Sequence, residues 1–308
     1  MCLYPKLIKN KKYLPTKKNK YNPPVCTGER LRYVTSACGR CYECRSQKRK
    51  EWLVRLSEDI RENNNVVFVT LTISNEAWEK ISKKYGLHTE EDCIKKMVRL
   101  FLERIRKATK KSIKHWLVTE RGQEKTERYH LHGLIWDDGK GYLTREYWKY
   151  GFVFIVQYVN EKTINYVTKY MLKKDEKHED FISTVLCSKG IGSGYLKRAD
   201  AETNKFNGEK TKELYTTRTG LKLNLPKYYR NKIYTEEEKE KLWIQKIEKG
   251  DIYVMGEKVK GDDWKSYNAL LRYQRERCVR LHGDNEMKWE EEKYKRMLKR
   301  QKANNNKK

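Results

Sequence analysis

No run of about 18 apolar residues occurs anywhere in the chain, so no transmembrane helix is expected. The opening stretch, MCLYPKLIKNKKYLPTKKNK, is basic but lacks the apolar segment of a secretory leader. These absences point to a cytosolic, reducing compartment. The eight cysteines are then thiols or metal ligands rather than disulfides. No Walker-type lysine loop is present, which argues against a fused helicase. No internal repeat is found. Histidine is scarce, with six in 308 residues.

Acidic residues are also in short supply. The chain has 42 Asp and Glu against 70 Lys and Arg, a formal charge of +28. Such a field attracts polyanions, nucleic acid first among them. The 22 tyrosines and 8 tryptophans favour a folded chain, because flat apolar rings bury well. They also stack on unpaired bases. Charge and aromatics together suit a folded binder of single strands. A basic ribosomal-type or membrane-surface protein is the plainer alternative.

Residues 1–35 are rich in Lys, Asn and Pro and read as a basic arm. RSQKRKEWLVRLSEDIR (45–61) sets Trp52, Leu53, Leu56 and Ile60 on one helical face. VVFVTLTI (66–73) is a buried strand. Thr89-x-x-Asp92 resembles a capping box. It opens a helix with Ile94, Met97, Val98, Phe101, Leu102 and Ile105 at three- and four-residue steps. HWLVTE (115–120) and YHLHGLIW (129–136) read as two strands of a hairpin. A short helix starts at Thr144, GFVFIVQYV (151–159) is a strand, and a helix runs from about Glu161 to Lys174. This order predicts an α+β fold, a central antiparallel sheet with helices on one or both faces. Residues 231–308 read as an appended, charged helical region with a disordered basic tail. Its basic helices would grip the DNA backbone or form a solvated charged tail.

YHLHGLIW places two of the six histidines one residue apart. Alternate strand residues share a face, so His130 and His132 lie side by side. Two imidazoles on one face can hold a divalent metal. They are equally compatible with an ordinary sheet surface. Gly133 lets another backbone approach. Glu120, across the hairpin, would complete a two-His, one-carboxylate set suited to Mg²⁺ or Mn²⁺, with Zn²⁺ or Fe²⁺ also compatible. Glu124 and Glu127 lie in the turn.

TINYVTKYMLKK (163–174) repeats Tyr-x-x-Lys. Tyr166 and Tyr170 are about one turn apart and project from the same side. A phenol with pKa of about 10 is a poor nucleophile at neutral pH. A nearby ammonium or a metal changes that. Lys169 and Lys173 could supply the charge or bind phosphates. The plainer alternative is an amphipathic helix with packed tyrosines and solvated lysines.

FVTLTI (68–73), YHLHGLIW (129–136) and YVTKYMLKK (166–174), in that order, resemble the three motifs of the His-hydrophobic-His (HUH) endonucleases, which initiate rolling-circle replication. The doubled tyrosine is similar to that of microvirus initiators. CGRCYECRSQKRKEWLVR (38–55) resembles the Cys-rich stretch of gokushovirus-type members. The resemblance covers about residues 36–230. It implies an HUH endonuclease-like palm, with His130, His132 and Glu120 as metal ligands and Tyr166 and Tyr170 as nucleophiles. The implied reaction is transesterification on single-stranded origin DNA, leaving a 5′-phosphotyrosine and a free 3′-OH for a host polymerase. The implied setting is the bacterial host cytoplasm. Two tyrosines on one face would let one cut while the other holds an end.

Cys26, Cys38, Cys41 and Cys44 could supply four thiolates to a structural Zn²⁺, although the usual two-plus-two spacing is absent. Packing of small residues at a helix start is the alternative. Cys2, Cys93, Cys187 and Cys278 are scattered and carry no signal. SKGIGSGYLKR (188–198) reads as a flexible loop near DNA, or a plain linker. Three functions remain open from the sequence: a nicking and joining initiator, a non-catalytic single-stranded nucleic-acid binder, and an HUH transposase or relaxase.

Overall fold

VVFVTLT is almost wholly β-branched or aromatic, residue types that pack well on a pleated surface. In the computed structural model, which describes residues 1–122, 127–173 and 181–305, it lies inside a five-stranded antiparallel sheet. The strands are β1 (Lys6–Lys9), β2 (Tyr33–Ser36), β3 (Val66–Thr72), β4 (Lys114–Arg121), β5 (Tyr129–Trp136), β6 (Val153–Val156), β7 (Val185–Cys187), β8 (Leu214–Thr216), β9 (Lys222–Asn224), β10 (Asp251–Val254) and β11 (Glu257–Lys260). The α-helices are α1 (Glu29–Arg32), α2 (Tyr42–Glu62), α3 (Asn75–Tyr85), α4 (Glu90–Thr109), α5 (Tyr142–Tyr147), α6 (Glu161–Lys169), α7 (Ala199–Glu202), α8 (Lys227–Ile233), α9 (Glu236–Lys249), α10 (Trp264–His282) and α11 (Glu286–Asn305). No described helix is long and apolar enough to cross a membrane.

The chain divides into two compact units. One comprises Lys48–Gln245 and Met287–Lys308 and contains the five-stranded sheet, ordered β6-β3-β5-β4-β7. The side-chain alternation of each strand splits the core in two. Val67, Val69, Leu71, Leu117, Leu131 and Ile135 face one way and pack against α3 and α4 through Ile81, Ile94, Met97, Phe101 and Ile105. Phe68, Trp116, Val118, Leu134 and Trp136 face the other way, against Trp52 and Leu56 of α2 and Ile164 and Val167 of α6. Each such side chain, fully buried, contributes about 1.5–3 kcal/mol. Both faces are therefore helix-covered, and the α+β expectation holds.

The helix ends follow local chemistry. The Thr89 hydroxyl accepts the Asp92 amide and opens α4, whose first turn is acidic and last turn basic. Asn160 accepts the amides of Lys162 and Thr163 and opens α6. Regular helix ends at Lys169, followed by a turn through Leu172, while Lys174 lies outside the described residues. Helix α2 starts three residues before the predicted helix, and α3 and β7 are additions to the predicted order.

SKGIGSGYLKR is a packed segment rather than a flexible loop. Ile191, Gly194 and Tyr195 are buried. The Gly192 amide donates to the buried Asp59 carboxylate, and a Cβ there would stand 2.5 Å from the Arg55 carbonyl oxygen. Gly192 and Gly194 serve close packing, and the Gly192 amide is already committed to protein.

The other unit comprises Met1–Gln47 and Lys246–Glu286. Here β1 pairs antiparallel with β2, Lys6 opposite Ser36 and Lys9 opposite Tyr33. The segment read as an arm thus contains paired strands. β10 and β11 form a second hairpin, Asp251 opposite Lys260, inside the region read as helical. Helix α10 is capped by Asp263, which accepts the Ser266 amide.

Candidate active site

His130 and His132 sit on β5, the central strand, between β3 and β4. The pairing sets Glu120 opposite His130 and Val118 opposite His132. On the other side Thr72 opposes His130 and Thr70 opposes His132. Gly133 has the role expected of it. A Cβ there would meet the Trp116 carbonyl oxygen at 2.0 Å, so only glycine admits the β4 backbone.

The His132 ring is held from both sides. Its Nδ1 lies 3.0 Å from the Thr70 hydroxyl and its Nε2 lies 2.6 Å from Glu120 Oε2. A hydroxyl both donates and accepts, so Thr70 can hold either neutral tautomer. The other Glu120 oxygen accepts from the Lys173 ammonium. Burial opposes ionisation of Glu120, but the bonds from His132 and Lys173 outweigh it and hold the carboxyl below its ordinary value. Burial, then the neighbouring His132, lowers the pKa of His130 and favours its neutral form.

Both tyrosines reach this cluster. The Tyr170 ring lies flat on His132, with centroids 4.1 Å apart and planes 3° from parallel. The Tyr166 and Tyr170 hydroxyls are hydrogen-bonded at 2.7 Å. Tyr166 also packs edge-on to Phe68. Burial, then the hydrogen bond to Tyr166, pushes the Tyr170 phenol above its usual value. The lysines differ from expectation. Lys173 pairs with Glu120 and stands 5.9 Å from the Tyr170 ring centroid, so its charge goes first to the carboxylate. Lys169 is exposed on α6 and has no ion pair among the described residues.

Residues 66–175 match the family model of the ORF2-type replication-associated proteins. This is a family of rolling-circle replication initiators. The matched segment runs from β3 past the end of α6 and holds His130, His132, Glu120, Tyr166, Lys169, Tyr170 and Lys173. No curated protein and no solved structure matches the chain.

Glu120, His130 and His132 are oxygen and nitrogen donors of the kind that bind divalent cations and share one sheet face, but their ligand atoms do not all lie within 4.8 Å of one another. Thr70 occupies Nδ1 of His132, which directs Nε2 at the carboxylate, as an outer-shell partner does in metal sites. The carboxylate is closed on His132 and Lys173. Among the described residues, the only set of three or more potential ligand atoms within 4.8 Å of one another is elsewhere, at four cysteines.

That set corrects the sequence assignment. It consists of Cys2, Cys38, Cys41 and Cys44, not Cys26. Antiparallel pairing of β1 and β2 folds the residue before one strand onto the residue after the other, bringing Cys2 to Cys38. Cys26 instead donates its thiol to the Gly28 carbonyl at 3.2 Å. The Sγ separations are 3.9 Å for Cys2 to Cys41 and 3.9 Å for Cys38 to Cys44. Backbone amides of Arg40 and Cys41 donate to the Cys38 sulfur, and that of Cys38 donates to Cys2. This group could bind a metal such as Zn²⁺. The signal missed in the sequence was position 2, whose approach depends on strand pairing.

Proposed function

We propose that the chain nicks and rejoins single-stranded origin DNA by tyrosine transesterification, as a rolling-circle initiator of the HUH type that microviruses carry. One observation carries the reading: two phenols are hydrogen-bonded to each other, and one of them, Tyr170, is stacked on a histidine that is itself bonded to a carboxylate. In the reaction a tyrosine oxygen bonds to phosphorus and the bond from phosphorus to the 3′ oxygen breaks. The phenol loses a proton and the leaving oxygen gains one, giving a 5′-phosphotyrosine and a free 3′-OH. The second tyrosine then attacks a second phosphodiester and releases a new 3′-OH, which attacks the first phosphotyrosine, breaks its tyrosine–phosphorus bond and closes the circle. Bond energy is kept in each covalent link, so no nucleotide cofactor enters.

His130, His132 and Glu120 would hold Mg²⁺ or Mn²⁺, which supplies Lewis-acid polarisation of the phosphate. Thr70 fixes the His132 ring. Tyr170 is half-buried and Tyr166 exposed, so Tyr166 meets an incoming strand first. Lys173 is ion-paired with Glu120, so its ammonium would be released toward the DNA backbone when a cation binds there.

The test is adduct formation between the full chain and an origin-derived oligonucleotide with Mn²⁺. A covalent adduct is expected, absent from the Tyr166→Phe/Tyr170→Phe variant. An adduct that survives in the double variant overturns the assignment of the nucleophiles. A non-catalytic binder would give strong, salt-sensitive binding and no adduct with any metal.

For the cysteines we propose a structural Zn²⁺ held by Cys2, Cys38, Cys41 and Cys44. A tetrahedral site with Zn–S of about 2.3 Å has sulfurs roughly 3.8 Å apart, and the two measured separations are 3.9 Å. The three amide-to-sulfur bonds suit thiolates. Metal analysis of the purified chain should find one zinc, lost in Cys2→Ser and kept in Cys26→Ser. Retention in Cys2→Ser would return the fourth ligand to another residue.

A further inference from the structure

Among the described residues strand β6 is an edge strand, paired only with β3. Val153 and Ile155 turn into the core that α3 and α4 cover. The alternate residues face the other way. Phe154 lies opposite Thr70 and Val156 opposite Phe68, the face that carries His132. The Phe152 carbonyl accepts from the Thr72 amide, continuing the same ladder. On this face α2 and α6 pack onto residues of β3, β4 and β5. The β6 side chains there stand in water. Phe152 is 85 % exposed and Phe154 61 %; Tyr158, two residues past the end of β6, is 76 % exposed, and Tyr166 of α6, which packs edge-on to Phe68 of β3, is 52 % exposed.

Outward positions on an antiparallel strand are ordinarily polar. Large aromatics gathered in water on one face mark a surface that binds something. Two features select the occupant. The chain carries +28, and α6 adds exposed Lys162 and Lys169 near this face, so the partner is an anion. Flat rings two residues apart on a strand stand roughly 6.7 Å from each other, and each offers a π-face to one base. A duplex keeps its base faces hidden, whereas a single strand exposes them. Phe154 is two strands from His132, roughly 10 Å away by strand spacing.

We propose that Phe152, Phe154 and Tyr158 form a stacking platform for unpaired bases of the DNA strand whose phosphodiester lies at Tyr166 and Tyr170. The inference rests on the function proposed above for the identity of that strand. The platform fixes which phosphodiester reaches the tyrosines: bases seated on β6 draw the flanking backbone across β3 toward His132. Selection by stacking is tolerant of sequence.

The test uses the full chain and three fluorescein-labelled probes: a mixed-sequence single strand, the same strand with abasic sites throughout its centre, and the duplex. Phe152→Ala/Phe154→Ala removes exposed rings only, so its melting temperature should equal that of the parent. Its affinity for the single strand should fall about tenfold or more, from the usual worth of base–aromatic stacking. Its affinity for the abasic strand should not change. Phe154→Trp should retain binding, and Phe154→Leu, apolar without a π-face, should not. Unchanged single-strand affinity in the double variant overturns the platform. So does an unchanged affinity accompanied by altered sedimentation, which would assign the strip to self-association. If the parent forms no adduct with Mn²⁺ but the double variant loses single-strand affinity, the nicking function fails and the platform's binding role stands. If the adduct forms and the double variant binds as the parent does, the platform alone fails.

Discussion

Thr70 does more than fill a strand position. Its hydroxyl meets His132 Nδ1 at 3.0 Å and leaves Nε2 to face Glu120. Thr70→Val keeps the shape and deletes the hydroxyl. Mn²⁺ affinity, measured by titration calorimetry, should fall about 10- to 100-fold, the usual effect of removing such a partner, with the melting temperature little changed. His115 supplies a pH signature away from the site. Burial lowers its pKa, and Ser188 Oγ stands 3.0 Å from its Nδ1. The unfolded chain therefore takes up that proton at a higher pH than the folded one. Stability from this residue is present above about pH 6.5 and is lost as pH falls through the lower folded value. Melting temperature should drop as pH falls below about 6.5, and His115→Gln should flatten the drop.

The elements differ in how far local sequence determines them. YHLHGLIW appears as a strand with the predicted bounds because its alternation and β-branched neighbours leave no other fit. Thr89 caps α4 as its spacing implies. Helix α3 escaped notice because its sequence, NEAWEKISKKY, has few apolar residues, and only Ile81 is buried. GFVFIVQYV reads as a strand, but its place at the edge is set by partners distant in the chain, so the exposure of Phe152 and Phe154 could not be read. Gly133 was legible as a point of close approach, and its substitution gives a direct check. Gly133→Ala should cost about 3 kcal/mol or more through overpacking, seen as a lowered midpoint in urea unfolding. An unchanged midpoint would mean that β4 does not approach as described.

Across the whole molecule, charge and aromatic content point to an anionic, base-bearing partner but not to where it would sit. The His, Glu and Tyr residues were found because each lies in a local pattern. Cys2 was missed because its neighbours come from pairing between β1 and β2, across some thirty residues of chain. The logarithm of the affinity for a single strand should fall linearly with log salt, with a slope of about −0.7 per phosphate contact. The Phe152→Ala/Phe154→Ala variant should keep that slope and lose affinity at every salt concentration. A changed slope would mean that the rings act by placing charges. One last consequence comes from the fit of Gly133 beneath the Trp116 carbonyl. A slip of β5 by one residue would turn both histidines toward α4 and away from the Tyr170 ring. The slip would also drive a bulky side chain against the β4 backbone. Gly133 therefore acts as an alignment key, selecting the one register in which His132 meets Thr70 and Glu120.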